Sequence, residues 1–470
     1  MKHVALPING SFRDPANRVY EHEGRILRGV TSAALENFKA LEQSSFFKDY
    51  VARGLIVRTT LADLGDEAAK GILAQGWAGV LAHERVPLIS YPYEWTFSML
   101  KDAALLQLDL LESGLKEGWT IKDSTPFNIQ FVGAKPVFID IPSFEPREQG
   151  EHWAAYRQFC MLFLYPLMLK AHLGLDFQPV LRSNLDGISP GEAARYFKGL
   201  KRFKKGVTSH ISIPAMIEGR VENSEKDRAP AKKRDSLKQS DAMVLGLVQS
   251  MKRLVQSLES PIRHTEWSEY ANTHSYEQQA FEAKLAFVRN AAKTGHWGVA
   301  WDIGGNTGTF SKICAEYSDR VITVDGDHDA VEKLYLSEKG NDAGKILPLY
   351  MNLANPSPNQ GWAGTERLGF TDRNSPDFVV CLALIHHISL SANVPIPLFL
   401  EWLRSLNAKL VIEFVDRPDE MVQKLLLNKK EKYPDYNKDV FERELNARFK
   451  ILDSQDLKGG HRKIYFCEPK

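Results

Sequence analysis

Between residues 299 and 415, short β-branched apolar segments alternate with amphipathic ones, and that order limits the possible folds more than any other feature of the chain. VAWDI (299–303), RVITVD (320–325), KILPLY (345–350), DFVVCLAL (377–384) and KLVIEFV (409–415) read as strands. SKICAEYS, HDAVEKLYLSEK and PLFLEWLRSL read as helices placed among them. Strands that are apolar throughout and separated by helices belong to a parallel sheet covered on both faces. FKILDSQ (449–455) and RKIYFCE (462–468) flank Lys458-Gly459-Gly460, a spacing that suits a hairpin. The expected class is α/β: a doubly wound sheet closed by an antiparallel terminal hairpin.

In such sheets ligands bind beyond the carboxyl ends of the strands. WDIGGNTGTFS (301–311) places Asp302 at a strand end, then a turn with Gly304 and Gly308, then a helix. Glycines there let the backbone approach a ligand, and their N–H groups can hold its polar atoms. The spacing is G-x-x-x-G rather than the G-x-G-x-x-G of dinucleotide sites. The preceding acid suits a ligand that carries an ammonium group. Asp325 ends the next strand, where a carboxylate can accept from both hydroxyls of a ribose. The bland alternatives are an ordinary strand-to-helix turn and a helix cap. Asp327 or Asp329 can supply the cap and leave Asp325 free.

DIGGNTG followed by VITVDGD resembles motif I and the acidic second-strand motif of class I S-adenosylmethionine-dependent methyltransferases, which have a Rossmann-like sheet. The resemblance implies S-adenosyl-L-methionine as cofactor. Asp302, Gly304, Gly305, Asn306 and Gly308 would line its methionine part, and Asp325 would hold its ribose. Asn352, in LYMNLANPSP, would lie near the adenine, where the family commonly has an acidic residue. Leu384 would border the same site. The fourth strand ends in LALIHHI (382–388), without the Asn/Asp-Pro-Pro-aromatic motif of many N-methyltransferases. His386 and His387 would face the transferable methyl, as a general base or in contact with substrate. Structural packing is the competing role for them. Tyr276 and Lys284, GWAGTER with Arg373 (361–373), and Glu413 are further candidates around the cleft, with packing or surface the favoured role for each. The segment from Trp267 onward is similar to a bacterial group of these enzymes that shares this loop, LALIHH and an IEFV strand. Some of that group are named for nodulation or for ribosomal-protein methylation, and neither name fixes a substrate.

The first half carries a different pattern. An amphipathic stretch at 98–115 precedes IKDSTPFNIQFVGAKPVFIDIPSFE (121–145). Asp123, Asn128 and Asp140 match, in order, the acceptor-positioning Asp and the two magnesium-holding residues of protein kinases and related small-molecule kinases. That resemblance implies a degenerate kinase-like α+β domain, with Mg and ATP as possible ligands. RVPLISYPYEW (85–95) is expected to supply a strand and hinge. The departures are Ile121-Lys122 for His-Arg, Ile-Pro after Asp140, and no Val-Ala-Ile-Lys; GRILRGV offers only Gly24, Arg28 and Gly29. A β-hairpin with solvated carboxylates is the bland alternative.

A chain of 470 residues exceeds a single core and implies two or three domains. The expected division is 1–215, then 216–262 as charged linker and amphipathic helix, then 263–470. Residues 218–240 hold Val221 and Leu237 as their only large apolar residues and are expected to be flexible. Four dispersed cysteines argue against disulfides and a cysteine-built metal site, and for a cytoplasmic protein. The apolar run 159–175 is interrupted by Pro166, Lys170 and His172, so it reads as a buried helix rather than a membrane span. A net charge of +1 argues against nucleic acid as a partner, and KGLKRFKKG (198–206) reads as a solvated basic face. The expected activity is methyl transfer to an unidentified small-molecule or protein acceptor, with the first half binding substrate or partner. The alternatives are an active N-terminal phosphotransferase, a NAD-dependent oxidoreductase, or a binding module with both halves degenerate.

Overall fold

The structure, a computed structural model, describes residues 5–63, 65–224, 239–261, 275–341, 344–427, 429, 433–457 and 459–470. Most of the expected linker (225–238), the stretch around Trp267, and Lys458 of the hairpin lie outside these residues. So does the side chain of Tyr276. The chain divides into two compact units. One comprises Met1–Phe131, Lys135–Pro261 and Asn359–Arg367, the other Val132–Ala134, Ile262–Pro358 and Leu368–Lys470.

In the first unit an antiparallel sheet contains β1 (Leu6–Pro7), β2 (Asn17–His22), β3 (Arg25–Val30), β4 (Thr59–Leu61) and β5 (Gly79–His83), in the order β1-β2-β3-β5-β4. Glu23 and Gly24 join β2 to β3 with φ of 49° and 76°, the left-handed pair that a tight hairpin turn requires. The strand expected within 85–95 lies earlier, at β5. Pro87 and Pro92 lack the N–H groups that a sheet ladder needs, and 85–95 holds only a short turn at Pro92–Glu94. Helix α1 (Phe97–Lys116) is capped by Thr96 and buries Leu100, Ala104, Leu108 and Leu111. The apolar run forms a buried π-helical turn, Cys160–Leu164, and α2 (Tyr165–Leu173), ended by Gly174 at φ +66°. Lys170 is tolerated there because Asp176 pairs with it at 2.6 Å.

The stretch expected to be flexible from residue 218 begins as helix: α3 (Ile213–Ser224) runs into it. Helix α4 (Asp241–Gln256), capped by Ser240, buries Val244, Val248, Met251 and Val255. It packs on α1, where Lys252 pairs with Glu112 at 3.2 Å. The loop containing GWAGTER counts with this unit. There Glu366, with its side chain 1% exposed, receives Nε and Nη2 of Arg13 at 2.6 and 2.9 Å.

The second unit has the expected sheet. Earlier in the chain β6 (Ile129–Val132) and β7 (Lys135–Phe138) form a hairpin, and helix α5 (Ser275–Ala292) leads into the sheet. Then follow β8 (Trp297–Ile303), α6 (Thr309–Tyr317), β9 (Ser318–Asp325), α7 (His328–Glu338), β10 (Ile346–Tyr350), β11 (Phe378–Cys381), α8 (Ile396–Ser405) and β12 (Lys409–Val415). Two helices, α9 (Glu420–Leu426) and α10 (Lys438–Arg448), lead to the terminal pair β13 (Phe449–Asp456) and β14 (Arg462–Pro469). The strand order is β10-β9-β8-β11-β12-β14-β13. The first five run parallel, and β14 pairs antiparallel with both neighbours. The chain therefore reverses direction of growth between β10 and β11, and β8 and β11 lie side by side at the switch point where doubly wound sheets bind ligands. Phe287 and Val288 of α5 belong to one buried apolar cluster with Ala300, Val380 and Val411 of three neighbouring strands. All four cysteines are buried and free.

Candidate cofactor and acceptor site

The site grows from the ends of β8 and β9. Gly304 donates its N–H to Val324 O at 2.8 Å, which folds the bend back onto β9. Asn306, itself at φ 49°, donates its N–H to Asp325 Oδ2 at 2.9 Å. Asp327 N–H reaches Asp325 Oδ1 at 2.8 Å. The glycine bend and the acidic strand end thus meet at one rim. The Asp325 carboxylate also receives the Gly326 N–H, and with about four acceptor positions it retains room for a further donor. Burial holds the Asp325 carboxyl above its ordinary range, against the pull of those N–H groups. Asp327 caps α7 through Asp329 N and Ala330 N, which leaves Asp325 free of capping.

The glycines do different work from one another. Gly304 has φ +77°, and a Cβ there would sit 3.4 Å from Leu384 Cδ1, an ordinary contact. Leu384 therefore borders the bend. A Cβ on Gly305 would lie 2.4 Å from Thr323 Cγ2 and 2.8 Å from Asp302 Oδ2. Gly308, at φ +82°, would meet Leu334 Cδ1 at 2.5 Å. The last two allow the turn to lie close on β9 and α7, and Gly304 supplies the backbone angle.

Asp302 is 2% exposed and turned inward. Ser311 Oγ donates to its Oδ2 at 2.5 Å, and Thr323 Oγ1 donates to Ser311 Oγ at 2.7 Å. Burial pushes the Asp302 carboxyl up to about 7; the Ser311 bond opposes this, and the charge of Asp325 adds to it. Asp302 thus anchors the bend through α6. Ser311 and Thr323 were not singled out from sequence, although Thr323 lies directly beside Asp302 across the β8–β9 ladder. A hydroxyl in that register was the available signal.

Met351 donates its N–H to Asp325 O at 2.8 Å, which brings exposed Asn352 next to Gly326. Beyond β11 the chain turns at Ala383, with φ 48°, and enters a π-helical turn, His387–Ser391. A left-handed alanine is uncommon and marks local strain at this corner. The His386 and His387 rings lie 4.2 Å apart. His386 is 2% exposed, its Nδ1 has no hydrogen-bond partner, and burial pushes its pKa down to about 3. His387 is half-buried and also lowered by burial. Lys284 Nζ lies 2.7 Å from Glu413 Oε1, off the hydrogen-bonding direction, and Glu413 is fully buried. Arg373 stacks at 5.9 Å over Phe370, on the β11 side of the loop.

In the first unit Asp123, Asn128 and Asp140 lie close together. Asn128 Nδ2 reaches Ser143 Oγ at 3.4 Å, and Ser143 donates to Asp140. Burial, with the charge of Asp140, holds the Asp123 carboxyl up. Arg28 of β3 pairs with Asp140 Oδ1 at 2.5 Å. No cluster of three or more His, Cys, Asp or Glu side chains placed to hold a metal occurs among the described residues.

No protein-family model matches the chain. Among solved structures, similar ones include the N-methyltransferase NodS from Bradyrhizobium japonicum WM9 in complex with S-adenosyl-L-homocysteine: 10% identity, 47% of this chain and 97% of that one, TM-score 0.32. Another is an S-adenosylmethionine-dependent methyltransferase from Aquifex aeolicus: 14% identity, 43% and 97% coverage, TM-score 0.29. The kinase-like reading of residues 1–215 receives no support from these proteins. The chain is 32% identical over 466 residues to the nodulation protein NoeA of Rhizobium meliloti (strain 1021), covering 98% of this chain and 96% of that protein. Similarity of that extent, end to end, makes this chain a member of the NoeA family.

Proposed function

We propose that the chain transfers a methyl group from S-adenosylmethionine to an acceptor still to be identified, at the carboxyl rim of β8, β9 and β11. The observation that carries this reading is the Asn306 N–H to Asp325 Oδ2 bond of 2.9 Å, which joins the glycine bend to the ribose-binding carboxylate. The cofactor supplies an already activated methyl group. The protein's part is to bind, orient and exclude water. Asp325 accepts from the ribose hydroxyls with its remaining acceptor capacity. The backbone of Gly304 and Gly305 lies against the methionine part, with Asn352 and Leu384 at either side of the nucleoside. Half-buried His387 faces the acceptor and takes its proton. His386 stays neutral and supports the neighbouring ring. In this reading residues 263–470 carry the chemistry, and residues 1–215 recognise the acceptor or a partner.

Isothermal calorimetry with S-adenosylhomocysteine tests it. Binding is expected, and Asp325→Ala weakens it by at least about tenfold, or about 1.4 kcal/mol. Unchanged affinity in that variant, or displacement of the ligand by NAD, rejects the assignment. Mass spectrometry of ligand carried through purification supplies an independent check.

A second reading concerns the first unit: binding of Mg-ATP at Asp123, Asn128 and Asp140, with or without phosphoryl transfer. Ser143 links Asn128 to Asp140, and the Asp140 charge is felt by Asp123, which favours it. The Arg28–Asp140 pair opposes it, because a magnesium ion needs the oxygen that Arg28 occupies. A thermal shift with Mg-ATP that Asp140→Ala removes supports this reading, and the absence of any shift ends it.

A further inference from the structure

Residues 198–205 of the first unit, KGLKRFKK, are all exposed, and they form a short 3₁₀ turn over Gly199–Phe203. Leu200 is 87% exposed and Phe203 67%. Side chains three apart eclipse one another in a 3₁₀ turn, so these two share one edge. Lys198, Lys201, Arg202, Lys204 and Lys205 surround that edge, and no carboxylate of the described residues holds any of them. No acidic residue occurs between Glu192 and Glu218.

The turn is held in place rather than loose. Phe197 and Val207 are buried on either side of it. Thr208 Oγ1 donates to Arg202 O at 2.9 Å, and His172 Nε2 lies 3.0 Å from Lys205 O. The Arg202 guanidinium lies 4.7 Å from the centre of the Phe203 ring. The result is a fixed protrusion with an apolar tip and a basic collar.

We infer that residues 198–205 dock the protein onto an anionic lipid bilayer. Leu200 and Phe203 would enter the boundary between headgroups and acyl chains, while the five cationic side chains meet the phosphates. Apolar tips and cations at these two depths are what interfacial binding uses. Single-stranded nucleic acid fits less well: a leucine has no π-face for a base to stack on, and the turn offers no groove to follow a backbone. The contact inferred is peripheral, and among the described residues no helix is long and apolar enough to cross a membrane. This inference is independent of the proposed methyl transfer.

Sedimentation of the full chain with vesicles tests it, using phosphatidylcholine alone and phosphatidylcholine mixed with phosphatidylglycerol. The protein is expected to partition onto the mixed vesicles and to release as salt rises. Leu200→Ser with Phe203→Ser weakens partition by at least about tenfold, and Lys201→Glu with Lys204→Glu removes it. These positions are exposed, so circular dichroism should show unchanged folding. The inference falls if the serine variant binds as well as the parent, if the parent binds neither vesicle, or if an RNA oligonucleotide binds the protein and vesicles do not.

Discussion

Each glycine of the bend meets a different obstacle, so each substitution should cost a different amount. Gly305→Ala and Gly308→Ala would force a Cβ to 2.4 and 2.5 Å of Thr323 and Leu334, inside packed interior. Gly304→Ala meets only ordinary contacts and carries the cost of its backbone angle, about 1 kcal/mol. Overpacking adds about 1–3 kcal/mol for the other two. Urea unfolding should rank Gly304→Ala as the mildest of the three. His386 gives a pH prediction. Its folded pKa of about 3 lies below the ordinary 6.5, so under acid the unfolded chain takes up a proton that the folded one refuses. Stability contributed by this neutral ring is therefore present above about pH 6.5 and is lost as pH falls toward 3. His386→Gln should flatten the pH dependence of urea midpoints in that window, while parent and variant keep their difference constant above it.

At the scale of elements, the parallel strands were legible because burial on both faces leaves an unbroken apolar run. The terminal hairpin was legible because glycines mark its turn. β11 was over-extended in sequence: DFVVCLAL reads as strand to residue 384, yet the ladder stops at Cys381, because Ala383 takes a left-handed angle that no propensity announces. The rim was legible as a pair of motifs, since Asp325 and the bend each stand out locally. The interior network below it was not, because Ser311 and Thr323 look like any hydroxyl residues until β8 and β9 are set in register. Lys284 and Glu413 each read from sequence as packing or surface before chemistry, and they pair with one another between α5 and β12, a long-range contact with no sequence periodicity. Lys284→Met would leave the fully buried Glu413 carboxylate with only Arg462 Nη1, at 3.7 Å, as a cationic neighbour, at a cost of up to about 3 kcal/mol. Adding Glu413→Gln should restore most of the loss. A double-mutant cycle by chemical denaturation reads both values.

Over the whole molecule, 60 basic and 59 acidic side chains nearly cancel, so ligand choice is set by local sites rather than by a global field. The two units offer chemically different sites: a carboxylate rim at 302–308 and 325 in one, and the Arg28–Asp140 group in the other. Hydrogen exchange of the intact chain can assign each ligand to its unit. A ligand that binds only the native state slows every amide whose opening releases it, by roughly one plus the ratio of free ligand to Kd. At a hundred times Kd, S-adenosylhomocysteine should slow peptides covering 302–311 and 324–329 by up to about a hundredfold, equivalent to about 2.7 kcal/mol. Peptides covering 24–30 and 121–143 should be unchanged. Asp325→Ala at the same ligand concentration should reduce the protection, because occupancy falls with affinity. Protection centred on 121–143 would move the nucleoside site to the other unit and leave the bend at Gly304 as a structural turn.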